Sequence, residues 1–179
     1  ASRPRKLKWI HAVSVGETLA IAPLIERLLG DRDDLSLLIT STTPTGAAQV
    51  RQRFGERVFS DWIPFDTPGA VRRFFTHWQP CVGVFVETEI WPNMVVQAHA
   101  EAIPVVLLNA RLSKRSARGY ARVSSVIRPT LASFSIIAAQ ERADARRLVA
   151  LGARPDQVVV TGNLKFALDP QALRAAYQA

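Results

Sequence analysis

Seven short apolar runs recur along the chain, separated by amphipathic or polar stretches. The runs are apolar at nearly every position rather than at alternate positions, which is typical of strands covered on both faces. They span residues 9–13, 35–40, 58–59, 82–86, 105–109, 135–139 and 158–160. We therefore expect seven buried strands, of which the third is the weakest.

Helical periodicity fills the segments between these runs. After the first run, apolar residues from Leu19 to Leu28 recur at helical spacing, and Gly30 is suited to end the helix. Pro23 lies inside this pattern and is expected to kink the helix. Further helices are predicted over residues 45–54, 69–78, 92–100, 114–128 and 141–151.

This alternation of buried strand and helix predicts an α/β fold with a doubly wound, mostly parallel sheet and helices on both faces. Ligands bind such sheets beyond the carboxyl ends of the strands. No Gly-x-Gly-x-x-Gly follows any strand, so the dinucleotide-binding fingerprint is absent. We expect residues 1–162 to form this Rossmann-like domain and residues 163–179 to begin a linker or crossover helix.

Composition suits a single globular domain without bound metal. The chain has 179 residues, of which 48% are hydrophobic and 21% are charged. Cys81 is the only cysteine, so no disulfide forms within the chain, and we expect it to be buried at a strand start. His11, His77 and His99 do not have metal-ligand spacing, and we predict neither a metal site nor a cofactor.

Positive charge is concentrated in one stretch of the chain. The formal net charge is +8, and no acidic residue lies between Glu101 and Glu141. The basic residues of this stretch are Arg111, Lys114, Arg115, Arg118, Arg122 and Arg128. A patch of one sign indicates an anionic partner (phosphates, an anionic membrane surface or nucleic acid), although a merely solvated face has the same sequence. No apolar run approaches the ~20 residues that a membrane helix needs.

Two loops at predicted strand ends carry carboxylates. Glu17 follows Ser14 by three residues, so it either completes a capping box or lies in the ligand crevice and accepts a proton from a substrate hydroxyl. Glu87 and Glu89 follow the fourth strand, and alternation sends both to one side if the strand continues through them. Either they act on a ligand, or one of them binds backbone amides of the next helix and the other lies in solvent. Trp91 is either a sugar platform or a core anchor.

The other strand-end loops carry hydroxyl and basic groups. Residues 40–46 place hydroxyls at a helix start, where free amides suit anions or sugar oxygens, although N-capping explains at least one of them. Arg111 either holds a phosphate or carboxylate or is an ordinary surface residue. Lys165 either stabilises negative charge during a reaction or is an exposed hinge residue. The candidate substrate-binding residues are Ser14, Gly16, Ser41, Thr42, Thr43, Thr45, Gly46, Glu89, Trp91, Asn93, Asn109, Arg111, Ser113 and Arg118.

Seven short motifs together span nearly the whole chain. They are His11-Ala-Val-Ser-Val-Gly-Glu17, Thr43-Pro-Thr-Gly46, Pro64-Phe-Asp66, Glu87-Thr-Glu-Ile-Trp-Pro-Asn93, Asn109-Ala-Arg-Leu-Ser113, Ser116-Ala-Arg-Gly-Tyr120 and Thr161-Gly-Asn-Leu-Lys-Phe166. Each motif is weak alone. In this order, the set resembles the N-terminal domain of the Kdo (3-deoxy-D-manno-octulosonic acid) transferases of lipopolysaccharide synthesis.

The resemblance implies a GT-B glycosyltransferase that moves Kdo from CMP-Kdo to the lipid A precursor lipid IV-A without a metal. Residues 1–162 would be its acceptor-binding domain, and the donor would bind mainly a C-terminal domain outside this sequence. The N-terminal half alone is expected to be inactive. Such enzymes work at the cytoplasmic face of the bacterial inner membrane, often through an N-terminal hydrophobic segment that we also expect outside this sequence.

The resemblance also implies roles for three residues. Glu17 falls on the proton acceptor, and Glu87 and Lys165 fall on positions that stabilise the transition state. The usual aspartate after Lys-Phe is Ala167 here, which leaves the hinge detail open. The basic stretch would meet acceptor phosphates or anionic lipid. Two alternatives remain: a GT-B transferase of another sugar, and a nucleic-acid-binding module, which the acidic loop from Glu87 to Glu89 disfavours because it would repel phosphates.

Overall fold

A seven-stranded sheet forms the centre of the computed structural model, which describes residues 6–30 and 35–164. The strands are β1 (Lys6–His11), β2 (Leu35–Ser41), β3 (Phe59–Trp62), β4 (Val82–Val86), β5 (Val105–Ala110), β6 (Ile136–Ala139) and β7 (Val158–Val160). All neighbours are parallel, in the order β3-β2-β1-β4-β5-β6-β7. All seven predicted strands are confirmed. The strand order reverses between β1 and β4, and such a switch point opens a crevice at the carboxyl ends of the strands.

Helices cover both faces of the sheet, as predicted. They are α1 (Val15–Gly30), α2 (Pro44–Phe54), α3 (Pro68–Trp78), α4 (Pro92–Ala100), α5 (Lys114–Ala121), α6 (Ser124–Ser133) and α7 (Arg142–Ala150). One hydrophobic cluster joins the sheet to α1 and α2, and a second joins it to α3, α4, α6 and α7. Burial on both faces explains why the strands are apolar at consecutive positions.

The basic helix predicted over residues 114–128 is two helices. α5 ends at Ala121, and α6 begins at Ser124 after Val123, whose backbone leaves the helical region at φ −117° and ψ 37°. α6 buries Ile127 and Leu131, whereas α5 buries no residue. The break lets α6 turn its apolar side into the core while α5 stays on the surface.

Two smaller expectations concern Pro23 and Cys81. α1 continues through Pro23 as one helix, and the proline itself is exposed. Cys81 is exposed, so the prediction of a buried cysteine is wrong. The residue precedes β4 at the amino end of the strand, where the turn from α3 faces solvent. The predicted linker beyond residue 164 lies outside the described residues.

Candidate functional site

The loop between β1 and α1 fixes Glu17 in the first turn of α1. The Glu17 carboxylate accepts hydrogen bonds from the Val13 amide at 2.8 Å and from the Ser14 hydroxyl at 3.2 Å. The Glu17 amide donates in turn to Ser14 Oγ at 3.3 Å. The predicted capping box is therefore present in a modified form, because the carboxylate bonds the amide of Val13 rather than that of Ser14. These bonds hold Glu17 in a position where it is only 9% exposed.

The surroundings of Glu17 favour its protonated form. Burial raises the pKa of Glu17, the bond from the Val13 amide partly offsets this rise, and the negative charges of Glu87 and Glu89 add to it. A carboxylate with a raised pKa is a stronger proton acceptor once it is ionised. The capping and proton-accepting interpretations of Glu17 are thus compatible, since the cap itself holds the carboxylate beside two other acids. We call Glu17, Glu87 and Glu89 the carboxylate cluster.

Glu89 belongs to a network that includes the rings of Trp91 and His11. Trp91 Nε1 donates to Glu89 Oε2 at 2.6 Å, and the Trp91 ring stands edge-on to the His11 imidazole with centroids 5.5 Å apart. Burial raises the pKa of Glu89, and the bond from Trp91 opposes the rise. Trp91 therefore connects the cluster to the core and also keeps its ring half-exposed.

His11 is a member of this network that sequence reasoning considered only as a metal ligand. The ring is fully buried, its Nδ1 bonds Thr40, and its Nε2 lies 3.9 Å from Glu89 Oε2. Burial lowers the pKa of His11 to about 4, so the ring is neutral at pH 7 and this contact is not an ion pair. The sequence feature that could have indicated a site role for His11 is a polar ring at the carboxyl end of a buried strand. Within the described residues, no group of three or more His, Cys, Asp or Glu is arranged to hold a metal ion.

Glu87 turns the chain at the end of β4. The strand ends at Val86, and Glu87 has a left-handed backbone with φ 63°. The prediction that alternation places Glu87 and Glu89 on one side required the strand to continue through them, and it does not. The two carboxylates are nevertheless close enough for the charge of Glu87 to raise the pKa of Glu89. A left-handed conformation is uncommon in residues other than glycine and often marks functional loops.

The loop that carries the acids is fixed from a distant segment. The Asp66 carboxylate accepts from the amides of Asn93 at 3.0 Å and Met94 at 2.9 Å, and Asn93 Nδ2 donates to the Asp66 carbonyl at 2.6 Å. Asp66 thus caps α4 from 27 residues away. The substrate role of Asn93 stays a prediction, but its visible contacts stabilise the loop. Asp66 lies in one of the seven motifs, but no role was predicted for it.

The loop after β2 is built against the loop that holds Glu17. Thr43 Oγ1 accepts from the Gly46 amide at 3.1 Å, which caps α2, and donates to the Val13 carbonyl at 2.9 Å. A Cβ on Gly46 would lie 2.9 Å from both Thr43 Oγ1 and the Val13 carbonyl, so glycine is required for this packing. Ser41 is fully buried, and its Oγ has no hydrogen-bond partner among the described residues.

Asn109 lies across the crevice at the end of β5. It is fully buried with a left-handed φ of 56°, and its Oδ1 accepts from the Leu164 amide at 2.9 Å. Asn109 Nδ2 finds no partner in the part of the chain that the structure describes. The hydrogen bond between the Leu164 amide and Asn109 Oδ1 holds the chain beside the site up to Leu164. Lys165, the third predicted catalytic residue, lies outside the described residues.

The remaining predicted substrate-binding residues are on the surface. Ser113 caps α5 by accepting from the Ser116 amide at 3.0 Å, and the Arg111 carbonyl accepts a hydrogen bond from Thr88 Oγ1. Their substrate roles stay predictions. The exposed members of the predicted set are Gly16, Thr42, Thr45, Arg111, Ser113 and Arg118.

An apolar groove of about 250 Å³ opens next to the carboxylate cluster. Its lining residues are Ser41, Thr42, Trp62, Ile63, Pro64, Phe65 and Trp91. Trp91 lines the groove and bonds Glu89 through its indole nitrogen, so the groove and the cluster share a wall. No site role was predicted for Trp62, Ile63 or Phe65, because burial and exposure there depend on packing between distant segments.

A second cavity, of about 310 Å³, lies on the exposed helix α5. Arg115, Arg118 and Arg122 line it together with Gly119, and we call these arginines the basic face. No carboxylate of residues 6–30 or 35–164 forms a salt bridge with them. Among the helices of the described segments, none has the length and apolarity to cross a bilayer.

Fold and site together define a Rossmann-like α/β domain with acidic residues at the switch point of its sheet. A similar fold occurs in the UDP-GlcNAc 2-epimerase from Neisseria meningitidis solved with UDP-GlcNAc. The TM-score is 0.62 at 15% sequence identity, and the match covers 97% of this chain and 50% of the epimerase. At this identity the likeness concerns the fold alone, and it agrees with the predicted fold class.

Sequence relatives identify the family. The family model for 3-deoxy-D-manno-octulosonic-acid transferase (kdotransferase) matches residues 1–168. The transferase of that name from Haemophilus influenzae is 39% identical over 90% of this chain and 38% of its own length, and that from Bordetella pertussis is 39% identical over 94% and 40%. The chain belongs to the Kdo transferase family, which confirms the predicted resemblance. It spans about two fifths of the length of these relatives.

Proposed function

We propose that this chain is the acceptor-binding half of a transferase that moves Kdo from CMP-Kdo to lipid IV-A. Membership of the family supports Kdo transfer in lipopolysaccharide synthesis. The observation that carries the finer proposal is the fixed carboxylate of Glu17 at the switch point, with a pKa raised by burial and by Glu87 and Glu89. Because the donor domain is expected elsewhere in the protein, the chain alone is inactive in this proposal.

Glu17 is the general base. The acceptor hydroxyl attacks the anomeric carbon of Kdo while its proton passes to Glu17, and CMP leaves with the electron pair of the broken bond. The transition state is oxocarbenium-like, as in glycoside hydrolysis. Glu87 faces the cationic sugar or aligns the acceptor. Lys165 offsets negative charge on the donor or on the leaving CMP.

The exposed polar residues around the crevice bind the acceptor and the membrane. In this proposal the substrate-binding set named from the sequence supplies hydroxyls, amides and arginines to the acceptor. Arg111 and the basic face meet acceptor phosphates or anionic lipid at the cytoplasmic face of the inner membrane. Arg115 and Arg118 of α5 and Arg122 directly after it are exposed and have no carboxylate partner in the described segments, which supports this role.

The test is Kdo transfer by the full-length enzyme with CMP-Kdo and lipid IV-A. Glu17→Gln keeps the size and hydrogen-bonding oxygen of the side chain but removes the base, so kcat should fall roughly a hundredfold or more. Glu56→Gln, at an exposed glutamate on a surface turn, is the matched control and should turn over normally. Normal turnover by Glu17→Gln would leave only the cap. Turnover with a different nucleotide sugar alone would favour another GT-B transferase.

A further inference from the structure

The apolar groove is open to solvent although its walls are large apolar side chains. Phe65 is 86% exposed and Trp62 is 48% exposed. Neighbouring aromatic side chains that remain exposed next to a concave surface are characteristic of a binding site, because such groups are otherwise buried. A ligand that covered them would remove this apolar area from water.

The loop that forms the groove is held at both ends before any ligand arrives. The Ile63 amide donates to the Ser41 carbonyl at 3.2 Å, which continues the register of β3. Asp66 is bound to the first amides of α4. Phe65 lies between these two attachments. A groove with fixed walls loses little conformational entropy on binding, which favours affinity.

The polar content of the groove is small and localised. Only Ser41 and Thr42 bring hydroxyls to the lining, and the other walls are aromatic, aliphatic or proline. The Ser41 hydroxyl is fully buried beside Gly46, whereas Thr42 is exposed, so Thr42 is the lining residue that can offer a hydroxyl to a ligand acceptor atom. A sugar ring would bury several hydroxyls against apolar walls at a cost, whereas a hydrocarbon chain with one carbonyl matches this lining.

We propose that the apolar groove binds one acyl chain of the acceptor, with the Thr42 hydroxyl donating to the ester or amide carbonyl of that chain. The proposal rests on the proposed function and names a subsite of the same site. Trp91 places the groove directly beside Glu89, so a chain attached to the sugar near the attacking hydroxyl reaches it without leaving the crevice. The groove then selects acylated over deacylated acceptors.

The experiment compares two acceptors with the full-length enzyme in detergent micelles: lipid IV-A and the same disaccharide bisphosphate with its acyl chains removed. Phe65→Ser and Trp62→Ser should each raise KM for lipid IV-A roughly tenfold, because each removes apolar contact with the chain. Both should leave KM for the deacylated acceptor unchanged. Phe59→Ser is the control: Phe59 is also an exposed aromatic residue of β3, 53% exposed, but packs on Trp78 outside the groove.

The outcomes separate the subsite from the function as a whole. Equal effects of Phe65→Ser on both acceptors, or no effect on either, would overturn the acyl-chain subsite while leaving Kdo transfer in place. Absence of transfer by the wild-type enzyme to either acceptor would overturn the proposed function, and the subsite with it. If Phe65→Ser instead lost binding to anionic vesicles without acceptor, while its KM in micelles stayed normal, these aromatics would contact the bilayer and the proposal would be wrong.

Discussion

The carboxylate cluster and the basic face are both charged, but they are held in opposite ways. Glu17 is nearly buried and bonded to the start of its own helix, and Glu89 is bonded to Trp91. The arginines of α5 project from a helix that buries no residue. Burial changes the proton affinity of the acids, whereas exposed guanidiniums keep their charge and act through an attraction that salt screens. The buried acid is suited to proton transfer, and the exposed arginines are suited to attracting an anionic ligand or surface.

The largest expected effect tests the buried side of this comparison. Burial lowers the pKa of His11 from 6.5 to about 4. Between these values the unfolded chain binds a proton at this ring and the folded chain does not, so stability is lost as the pH falls through this window. The ring alone should lower the free energy of unfolding by about 3 kcal/mol. Urea unfolding of the chain at pH 7 and at pH 4.0 measures this loss.

His11→Gln should remove this part of the pH dependence. The raised pKa values of Glu17 and Glu89 act in the opposite direction, since their contribution to stability is lost as the pH rises. The difference between wild type and variant therefore isolates the ring. His99→Gln, at an exposed histidine of α4, should keep the wild-type dependence. Equal pH dependence in wild type and His11→Gln would mean that the pKa of the ring is the same in the folded and the unfolded chain, so that burial does not keep the ring neutral.

The next effect tests the exposed side. Replacing Arg115, Arg118 and Arg122 together with Gln should weaken binding of the full-length enzyme to anionic vesicles roughly a hundredfold, at about 1 kcal/mol per charge. Sedimentation with vesicles at low and high salt measures it, and the variant should lose most of the salt dependence.

A second triple variant controls for net charge. Arg51, Arg72 and Arg73 are exposed on α2 and α3, and their replacement by Gln removes the same charge from other surfaces. This variant should bind vesicles nearly as wild type does. Equal losses in both triple variants would mean that overall charge matters and not the basic face. Strong salt-dependent binding to DNA or RNA, with no binding to vesicles, would favour the nucleic-acid alternative.

The sequence predicted what depends on local pattern. The strands and most helices follow from continuous apolar runs and helical periodicity, and the strand-end rule brought Glu17 and Glu87 to one crevice. The break between α5 and α6 could not be predicted, because both halves are basic and only packing on the core separates Ile127 from its neighbours.

Long-range contacts account for the rest of the site. The cap that Asp66 places on α4 joins segments 27 residues apart, and no local spacing encodes it. The same holds for the apolar groove, which Phe65 and Trp91 line together only because the fold brings their segments to one place. His11 was visible as a polar residue in an apolar strand, but its neutral state follows from burial.

The smallest expected effect concerns how the cluster sets its own proton affinity. The charge of Glu89 is one of the influences that raise the pKa of Glu17, after burial and the charge of Glu87. Glu89→Gln removes that charge, so the pKa of Glu17 should fall. A base works only when ionised, and therefore the acid limb of the kcat/KM profile should move to lower pH. Burial remains, so the limb should still lie above the ordinary value of 4.5.

The pH at which the acid limb of the kcat/KM profile falls can be measured whatever the maximum value of kcat/KM. Glu89→Gln is therefore informative even if substrate binding also changes. Glu141→Gln, at an exposed glutamate before α7, should leave the limb in place. A limb that stays fixed in Glu89→Gln would mean that the titrating group is not Glu17. A limb that moves to higher pH would mean that Glu89 stabilises the ionised base, in conflict with the repulsion between these two acids on which the proposed role of the cluster depends.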